Sequence, residues 1–116
     1  MKRELSRNKF FRRNPSLEVT VIRGERGWCG QAWRGAQLLA QKTGRTLEAV
    51  YWQLSEAVLK LNAREVATAQ GWRDARTGQI DPLQTHHIQP RSKGRLDEPR
   101  NLEGISQSTH GLEHEG

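Results

Sequence analysis

The four histidines of this chain are its clearest candidates for chemistry, because all of them lie between residues 86 and 114. His110 and His114 are four residues apart, and on a helix this spacing places both imidazoles on one face. Two nitrogens so placed can bind one metal ion, as in the helical H-E-x-x-H motif. Gly111 stands where that motif has its glutamate, so the pair is a candidate ligand pair without an adjacent general base.

His86 and His87 are neighbours, which predicts different roles for them. Adjacent side chains of a strand point to opposite faces, so the two cannot easily bind the same ion. One can complete a set of three imidazole ligands with His110 and His114, and the other can act as a general base beside the metal. Three protein ligands leave a coordination position for water or phosphate, which favours a catalytic ion. Either histidine pair alone would more commonly be only solvated, so the prediction depends on the combination.

The segment that carries these histidines resembles the HNH endonuclease motif of the ββα-metal, or His-Me finger, type. The spacing is similar to that of colicin-type DNases, which also end their motif in a helical H-x-x-x-H. The resemblance covers residues 71–116, under half of the chain. The matching residues are His86-His87-Ile88-Gln89-Pro90-Arg91-Ser92-Lys93-Gly94, then Asn101-Leu102, then His110 and His114.

This resemblance implies an HNH-type phosphodiesterase, a metal-dependent DNA endonuclease or nickase. His87 would be the general base that activates water, and Asn101 would tie the loop to the strand by backbone hydrogen bonds and so orient His87. The cofactor would be one divalent ion, Mg, Mn, Ni or Zn, that bridges the scissile phosphate and the leaving O3′. Hydrolysis would leave a 5′-phosphate and a 3′-hydroxyl. The implied metal ligands are His86, His110 and His114.

Two features depart from the family's usual pattern. No C-x-x-C pair flanks the motif, because Cys29 is the one cysteine of the chain. Arg95 replaces the usual second glycine of the loop, which alters the turn or adds a phosphate contact. Arg91, Lys93 and Arg95 are candidates for contacts with neighbouring phosphates, although charged loops are more commonly only solvated.

Positive charge is concentrated at the start of the chain. The net charge is +6, and residues 1–26 hold eight Lys and Arg against three Glu, whereas residues 27–116 hold eleven against ten acidic residues. Such a basic segment favours a polyanionic partner, because Lys and Arg displace counterions condensed on phosphates. The charge thus favours a nucleic acid as the partner, with a solvated tail that aids solubility as the alternative, and the resemblance to HNH endonucleases implies that this nucleic acid is double-stranded DNA.

Residues 1–16 are interpreted as a basic N-terminal arm. Phe10 and Phe11 lie within it and could stack on bases or anchor the arm to the rest of the protein. Arg12 and Arg13 follow them and are candidates for DNA contacts. Because the strongest apolar periodicity lies downstream, we expect the fold to survive removal of residues 1–13.

The remaining sequence predicts an α+β protein, with an N-terminal helical part followed by a C-terminal ββα-metal motif. After the arm, residues 17–70 are expected to form a short strand and a helical region, and residues 71–116 the nuclease motif. The predicted elements are a strand over 17–22, helices over 31–42, from Thr46 to Leu61 and from Asn62 to Gln70, a turn over 75–80, a strand over 83–88, a loop over 90–99 and a last helix from 106–109 onward.

Composition excludes several classes of protein. No apolar run approaches the roughly 18 residues that a membrane span needs, so we expect no membrane partner. The first residues lack the apolar stretch of a secretory signal, and a single cysteine allows no intramolecular disulfide, so we expect a cytoplasmic protein, for which a phage or plasmid gene is a compatible source. Two alternatives to the enzyme stay open: a non-catalytic DNA-binding module in which the histidines hold a structural zinc, and a small helical interaction protein whose histidines are incidental.

Overall fold

The structure of this chain is a computed structural model that describes residues 3–80 and 82–106. It has the expected α+β composition, with a three-stranded antiparallel sheet, a long helix and a two-stranded hairpin. The chain divides into two compact units, Met1–Leu61 and Asn62–Gly116. His110 and His114, with the helix predicted to carry them, lie outside the described residues.

The first unit is built on a sheet rather than on helices. Its strands are β1 (Glu18–Gly24), β2 (Gly27–Arg34) and β3 (Gln37–Gly44), paired antiparallel in that order. They follow helix α1 (Arg7–Arg13) and precede helix α2 (Leu47–Ala69). The buried core of this unit consists of Leu5, Phe10, Leu17, Ala32, Val50, Tyr51, Leu54 and Val58.

The predicted helix over 31–42, and with it the N-terminal helical part, is wrong. This segment forms the end of β2, a turn at Gly35 with a φ of +59°, and most of β3. A bulge shifts the register, so that Ala32 pairs with Ala40 but Trp33 pairs with Leu38. One extra residue on β3 breaks the alternation of apolar positions, which leaves a spacing that imitates a helix.

The N-terminal arm contains a short helix that packs against the rest of the first unit. Ser6 caps α1 by accepting a hydrogen bond from the Lys9 backbone N–H. Phe10 is 0% exposed, and its ring lies 5.4 Å from that of Tyr51. Phe10 therefore anchors the arm. Removing residues 1–13 would uncover the core, contrary to the expectation that the fold would survive it.

Helix α2 begins as predicted and continues further than predicted. The Thr46 hydroxyl accepts a hydrogen bond from the Ala49 N–H at 3.1 Å, as an N-cap does. No new helix begins at Asn62, because α2 runs through this residue without interruption. The side chain of Asn62 is buried and donates to the Asp97 carbonyl at 3.0 Å, which is a tertiary contact and not a cap. Among the described residues, no helix is long and apolar enough to cross a membrane.

The second unit contains the antiparallel hairpin of β4 (Leu83–His87) and β5 (Leu102–Ser106). The strand expected over 83–88 is present as β4, but its partner follows the polar loop instead of preceding the 75–80 turn. The extended piece expected just before the 75–80 turn does not begin directly after α2. The chain turns there instead, because Gly71 and Trp72 both have positive φ angles, +66° and +59°. The loop between β4 and β5 holds two 3₁₀ turns, Arg91–Lys93 and Pro99–Asn101.

Side chains from the segment after α2 bind the edge of β5 that β4 does not pair with. The Gln70 amide donates to the Gly104 carbonyl and accepts from the Gly104 N–H, both at 2.9 Å, as a neighbouring strand would. The Asp74 carboxylate accepts hydrogen bonds from the backbone N–H groups of Ser106, Arg76 and Thr77. These contacts fix the position of β5 and of the loop that leads into it.

Asp74 should make this unit sensitive to acid. The Ser106 N–H, followed by those of Thr77 and Arg76, holds the pKa of Asp74 well below its usual range, although burial opposes the shift. A depressed carboxyl pKa stabilises the fold above the unfolded value of about 4, and this contribution is lost as the pH falls toward the folded value. We expect Asp74→Asn to lower the urea midpoint at pH 7 and to reduce the further loss between pH 4 and pH 2. Circular dichroism measures both, and Glu25→Gln, at an exposed turn, is the control. Equal acid sensitivity in wild type and Asp74→Asn would contradict this role.

Candidate functional site

The predicted general base and one predicted metal ligand lie at the end of β4. His86 is paired across the hairpin with Glu103, and His87 with Leu102. Because they are successive residues of a strand, their side chains leave on opposite faces. His87 is 8% exposed, whereas His86 is half-buried. The two histidines therefore occupy different environments, as the different roles predicted for them require.

His87 forms a hydrogen-bond network with two residues of the loop. Its Nε2 atom lies 2.8 Å from Oδ1 of Asp97, which is fully buried. The Nε atom of Arg95 donates to both carboxylate oxygens of Asp97, at 3.0 and 3.1 Å. A buried carboxylate is stable only when paired and hydrogen-bonded, and these two partners meet that requirement. Asp97 is thus the centre of the network.

Burial, more than its charged neighbours, determines the protonation of His87. Burial lowers the pKa of His87; the Asp97 carboxylate opposes this shift, while the charges of Arg91 and Arg95 add to it. The neutral imidazole is favoured, and its Nε2–H then donates to Asp97, which leaves the lone pair on Nδ1. Within residues 3–80 and 82–106, no side chain or backbone group hydrogen-bonds to Nδ1. A neutral histidine held in this tautomer can accept a proton at Nδ1.

Asn101 joins the two ends of the loop next to His87. Its side-chain oxygen accepts from the Gln89 N–H at 2.8 Å, and its amide donates to the Leu96 carbonyl at 2.8 Å. The Asn101 backbone carbonyl also accepts from the Ile88 N–H at 2.8 Å. These bonds extend the pairing of β4 and β5 by two residues beyond His87. They hold the backbone on both sides of the loop.

The rest of the loop is held by two further amide side chains. Gln89 donates to the carbonyls of Lys93 and Gly94, at 2.8 and 3.0 Å. Gly94 has a φ of +98°, a conformation that a side chain would strain, so the glycine kept at this position permits the turn. Asn62 binds the backbone at Asp97. The carboxylate that pairs with His87 is therefore fixed through its backbone as well as through its side chain.

The other predicted site residues are distributed over both units. Arg91 and Lys93 are exposed on the first 3₁₀ turn of the loop, and Arg95 is engaged with Asp97. In the first unit Arg12 is exposed on α1, whereas Arg13 donates to the Ser55 hydroxyl at 3.3 Å. The sequence thus identified exposed cations, but it did not show that two of the five arginine and lysine candidates already bind protein groups.

The described residues do not by themselves form a complete set of metal ligands. Among them no three His, Cys, Asp or Glu side chains lie close enough together to hold an ion. His86 is the one predicted ligand inside the described ranges, and its cross-strand neighbour Glu103 binds Arg76 at 2.8 Å. Imidazole nitrogens bind Zn, Cu, Fe and Ni, so a histidine is a suitable ligand for a divalent ion. The chemistry of His86 is compatible with the implied ion.

Two residues of the site were not identified from the sequence. Asp97 resembles a solvated charge in a polar loop, and Asn62 resembles a helix cap. The signal that could have revealed Asp97 is its place between His87 and Asn101, because a histidine base needs a carboxylate to orient it.

Comparison of the chain with family models, with curated proteins and with solved structures finds no match in any of the three.

Proposed function

We propose that this chain is a metal-dependent endonuclease or nickase that hydrolyses phosphodiester bonds of double-stranded DNA. The observation that carries the proposal is the buried His87, with Nε2 on Asp97 and its strand end held by Asn101. The Asp97 contact fixes the tautomer, which decides which nitrogen of His87 accepts the proton of the attacking water. Because a carboxylate also orients histidines that bind zinc, the activity assay below distinguishes the enzyme from the structural-zinc module.

The chain's own residues can perform the proton transfer of the reaction. Water attacks phosphorus in line with the leaving O3′ while Nδ1 of His87 takes its proton; the new O–P bond forms as the P–O3′ bond breaks. Asp97 would stabilise the imidazolium that results, and Arg95 donates hydrogen bonds to the same carboxylate. A divalent ion, when bound, supplies Lewis-acid stabilisation of the phosphoryl charge and of the leaving oxygen. The residues that would hold it are His86, His110 and His114.

DNA binding is supported by exposed cations in both units. Arg91 and Lys93 project from the loop that leaves β4 at His87, so they are candidates for contacts with phosphates near the scissile bond. Arg12 is exposed on α1, and Arg13 lies beside it with part of its guanidinium on Ser55. Such contacts are independent of base sequence, and they make affinity fall as salt rises.

A plasmid assay tests the proposed activity. Supercoiled plasmid is incubated with the full chain and Mg²⁺, Mn²⁺, Ni²⁺ or Zn²⁺ in turn, with EDTA as the control. We expect conversion to open-circle or linear DNA with at least one ion and none with EDTA. The cut ends should accept label from polynucleotide kinase only after phosphatase treatment, as 5′-phosphates do. Plasmid that is bound but never cut with any ion would contradict the enzyme and support the structural-zinc module.

A further inference from the structure

The sheet of the first unit has one face that packs on α2 and one face that is open. A Cβ atom added at Gly30 would lie 2.5 Å from Val50 and 3.1 Å from Leu54, so the Gly30 side of β2 contacts the helix. The neighbouring residues of β2 face the other way. Register pairs Gln31 with Thr20 on β1 and with Gln41 on β3, so these three side chains form one row across the open face.

This row is a continuous chain of hydrogen bonds. The Trp33 indole N–H donates to the Thr20 hydroxyl at 3.1 Å, and this hydroxyl donates to Oε1 of Gln31 at 3.1 Å. The Gln31 amide donates to Oε1 of Gln41 at 2.8 Å. The bonds orient both glutamine amides and use only part of their capacity, because each amide has two N–H donors and two acceptor sites. The row is thus an ordered set of donors and acceptors at the surface.

An apolar patch lies beside the polar row. The adjacent set of paired residues on this face is Ile22 on β1, Cys29 on β2 and Thr43 on β3. Ile22 is 66% exposed. In the major groove, Gln pairs bidentately with adenine N6 and N7, and apolar side chains contact the thymine methyl group. The open face therefore carries both kinds of group that distinguish an A·T pair.

Positive charge surrounds the same sheet. Residues 1–45 hold eleven Lys and Arg against three Glu, a net of +8, whereas residues 46–116 hold eight against ten acidic residues, a net of −2. Arg26 in the β1–β2 turn and Arg45 after β3 are exposed and form no ion pair with any described residue. Cations at this end of the sheet complement the phosphates that flank a groove.

The width of the sheet is close to that of the major groove of B-form DNA. Three strands at about 4.8 Å spacing span about 10 Å, and the major groove of B-DNA is about 12 Å wide. The corresponding groove of duplex RNA is deep and narrow, so side chains cannot read it. The open face thus fits B-form DNA and not an RNA helix.

We infer that the open face of the β1–β2–β3 sheet is a sequence-reading surface for double-stranded DNA. Gln31 and Gln41 read adenine edges, Ile22 contacts thymine methyl groups, and Arg26 and Arg45 bind the flanking phosphates. The inference rests on the proposed function for its choice of DNA as ligand, and it adds a target site rich in A·T pairs.

Base reading is tested by selection followed by affinity measurement. The full chain, kept in EDTA so that nothing is cut, is used to select from a library of randomised DNA duplexes, and we expect a short motif with A·T pairs. On that duplex, measured by fluorescence anisotropy, Gln31→Ala with Gln41→Ala should lose about tenfold in affinity, while affinity for an unrelated duplex stays the same. Gln37→Ala, an exposed glutamine in β3 but outside the row, is the control.

The phosphate contacts are tested by a matched pair of arginines. Arg45→Gln should weaken binding to every duplex and reduce the slope of log K against log salt by about 0.9, the value for one phosphate contact. Arg64→Gln removes the same charge from an exposed site on α2 and should change neither. Equal effects of the two variants, tighter binding to duplex RNA than to DNA, or selection of no motif would each overturn the inference. Plasmid nicking that persists in such a case would leave the proposed function intact, because binding in EDTA and cutting with metal are measured separately.

Discussion

Replacing His87 with alanine is expected to slow plasmid nicking by about 10²- to 10⁴-fold, the usual contribution of a general base. Affinity for metal and for DNA should stay close to that of the wild type, because the change removes the proton acceptor and not a ligand. Calorimetric metal titration and anisotropy on labelled duplex measure these affinities beside the nicking assay.

The predicted ligands provide the comparison within the same motif. His86→Ala, one residue away, should lose metal affinity together with nicking, and so should His110→Ala and His114→Ala. Metal binding also stabilises the fold, so the ligand variants should lose the protection against unfolding that the ion gives to the wild type. A His87→Ala variant that behaved like His86→Ala would show that both histidines are ligands.

A second variant separates catalysis from folding at His87. His87 is buried against Asp97, and an alanine there leaves the carboxylate with Arg95 alone. His87→Gln keeps an amide donor for Asp97 but has no basic nitrogen, so it should fold normally and be as inactive as the alanine variant. Nicking by His87→Gln at the wild-type rate would contradict the assignment of His87 as the base.

Asn101→Ala is expected to lower the free energy of unfolding by about 1–3 kcal/mol, because the partly buried Gln89 N–H and Leu96 carbonyl lose their partner. Nicking should fall as well, since the backbone next to His87 is no longer held. Urea unfolding measures the global effect. Hydrogen exchange followed by mass spectrometry measures the local one, and amides at Ile88 and Gln89 should exchange faster.

The matched control for Asn101 is an asparagine without such contacts. Asn8 is exposed on α1, so Asn8→Ala should change neither stability nor exchange by a measurable amount. If the backbone amides of Ile88 and Gln89 exchanged as slowly in Asn101→Ala as in the wild type, the Asn101 side chain would not be what holds the loop. A loss of nicking with normal exchange would require another explanation for the role of Asn101.

The elements that the sequence predicted well are those whose signal is local. Strand β1 follows from alternating β-branched residues, and the start of α2 follows from the Thr46 cap and a long apolar stripe. The prediction of a helix over 31–42 was wrong because a bulge at Ala32 and Trp33 interrupts the alternation of apolar and polar residues that marks a strand. The remaining spacing of apolar residues fits a helix. The prediction that a new helix begins at Asn62 was wrong because the Asn62 amide binds the Asp97 carbonyl, 35 residues away. A contact at that distance along the chain leaves no local pattern in the sequence.

The candidate site was predicted in part for the same reason. Asn101 forms backbone hydrogen bonds on both sides of the loop, as the motif led us to expect, whereas its influence on His87 stays a prediction. Asp97 was missed, since its burial depends on Arg95, His87 and the backbone bond from Asn62 acting together. An acidic residue in a polar loop has no local feature that distinguishes a buried carboxylate from a solvated one.

The side chains on the edge of β5 also decide how this hairpin behaves at high concentration. A bare two-stranded hairpin offers a free edge, along which strands of other molecules can add one after another. Here the backbone groups of Gly104 are taken by Gln70, and the N–H of Ser106 is taken by Asp74. An incoming strand would have to displace both side chains before it could pair, so this edge is closed to polymerisation.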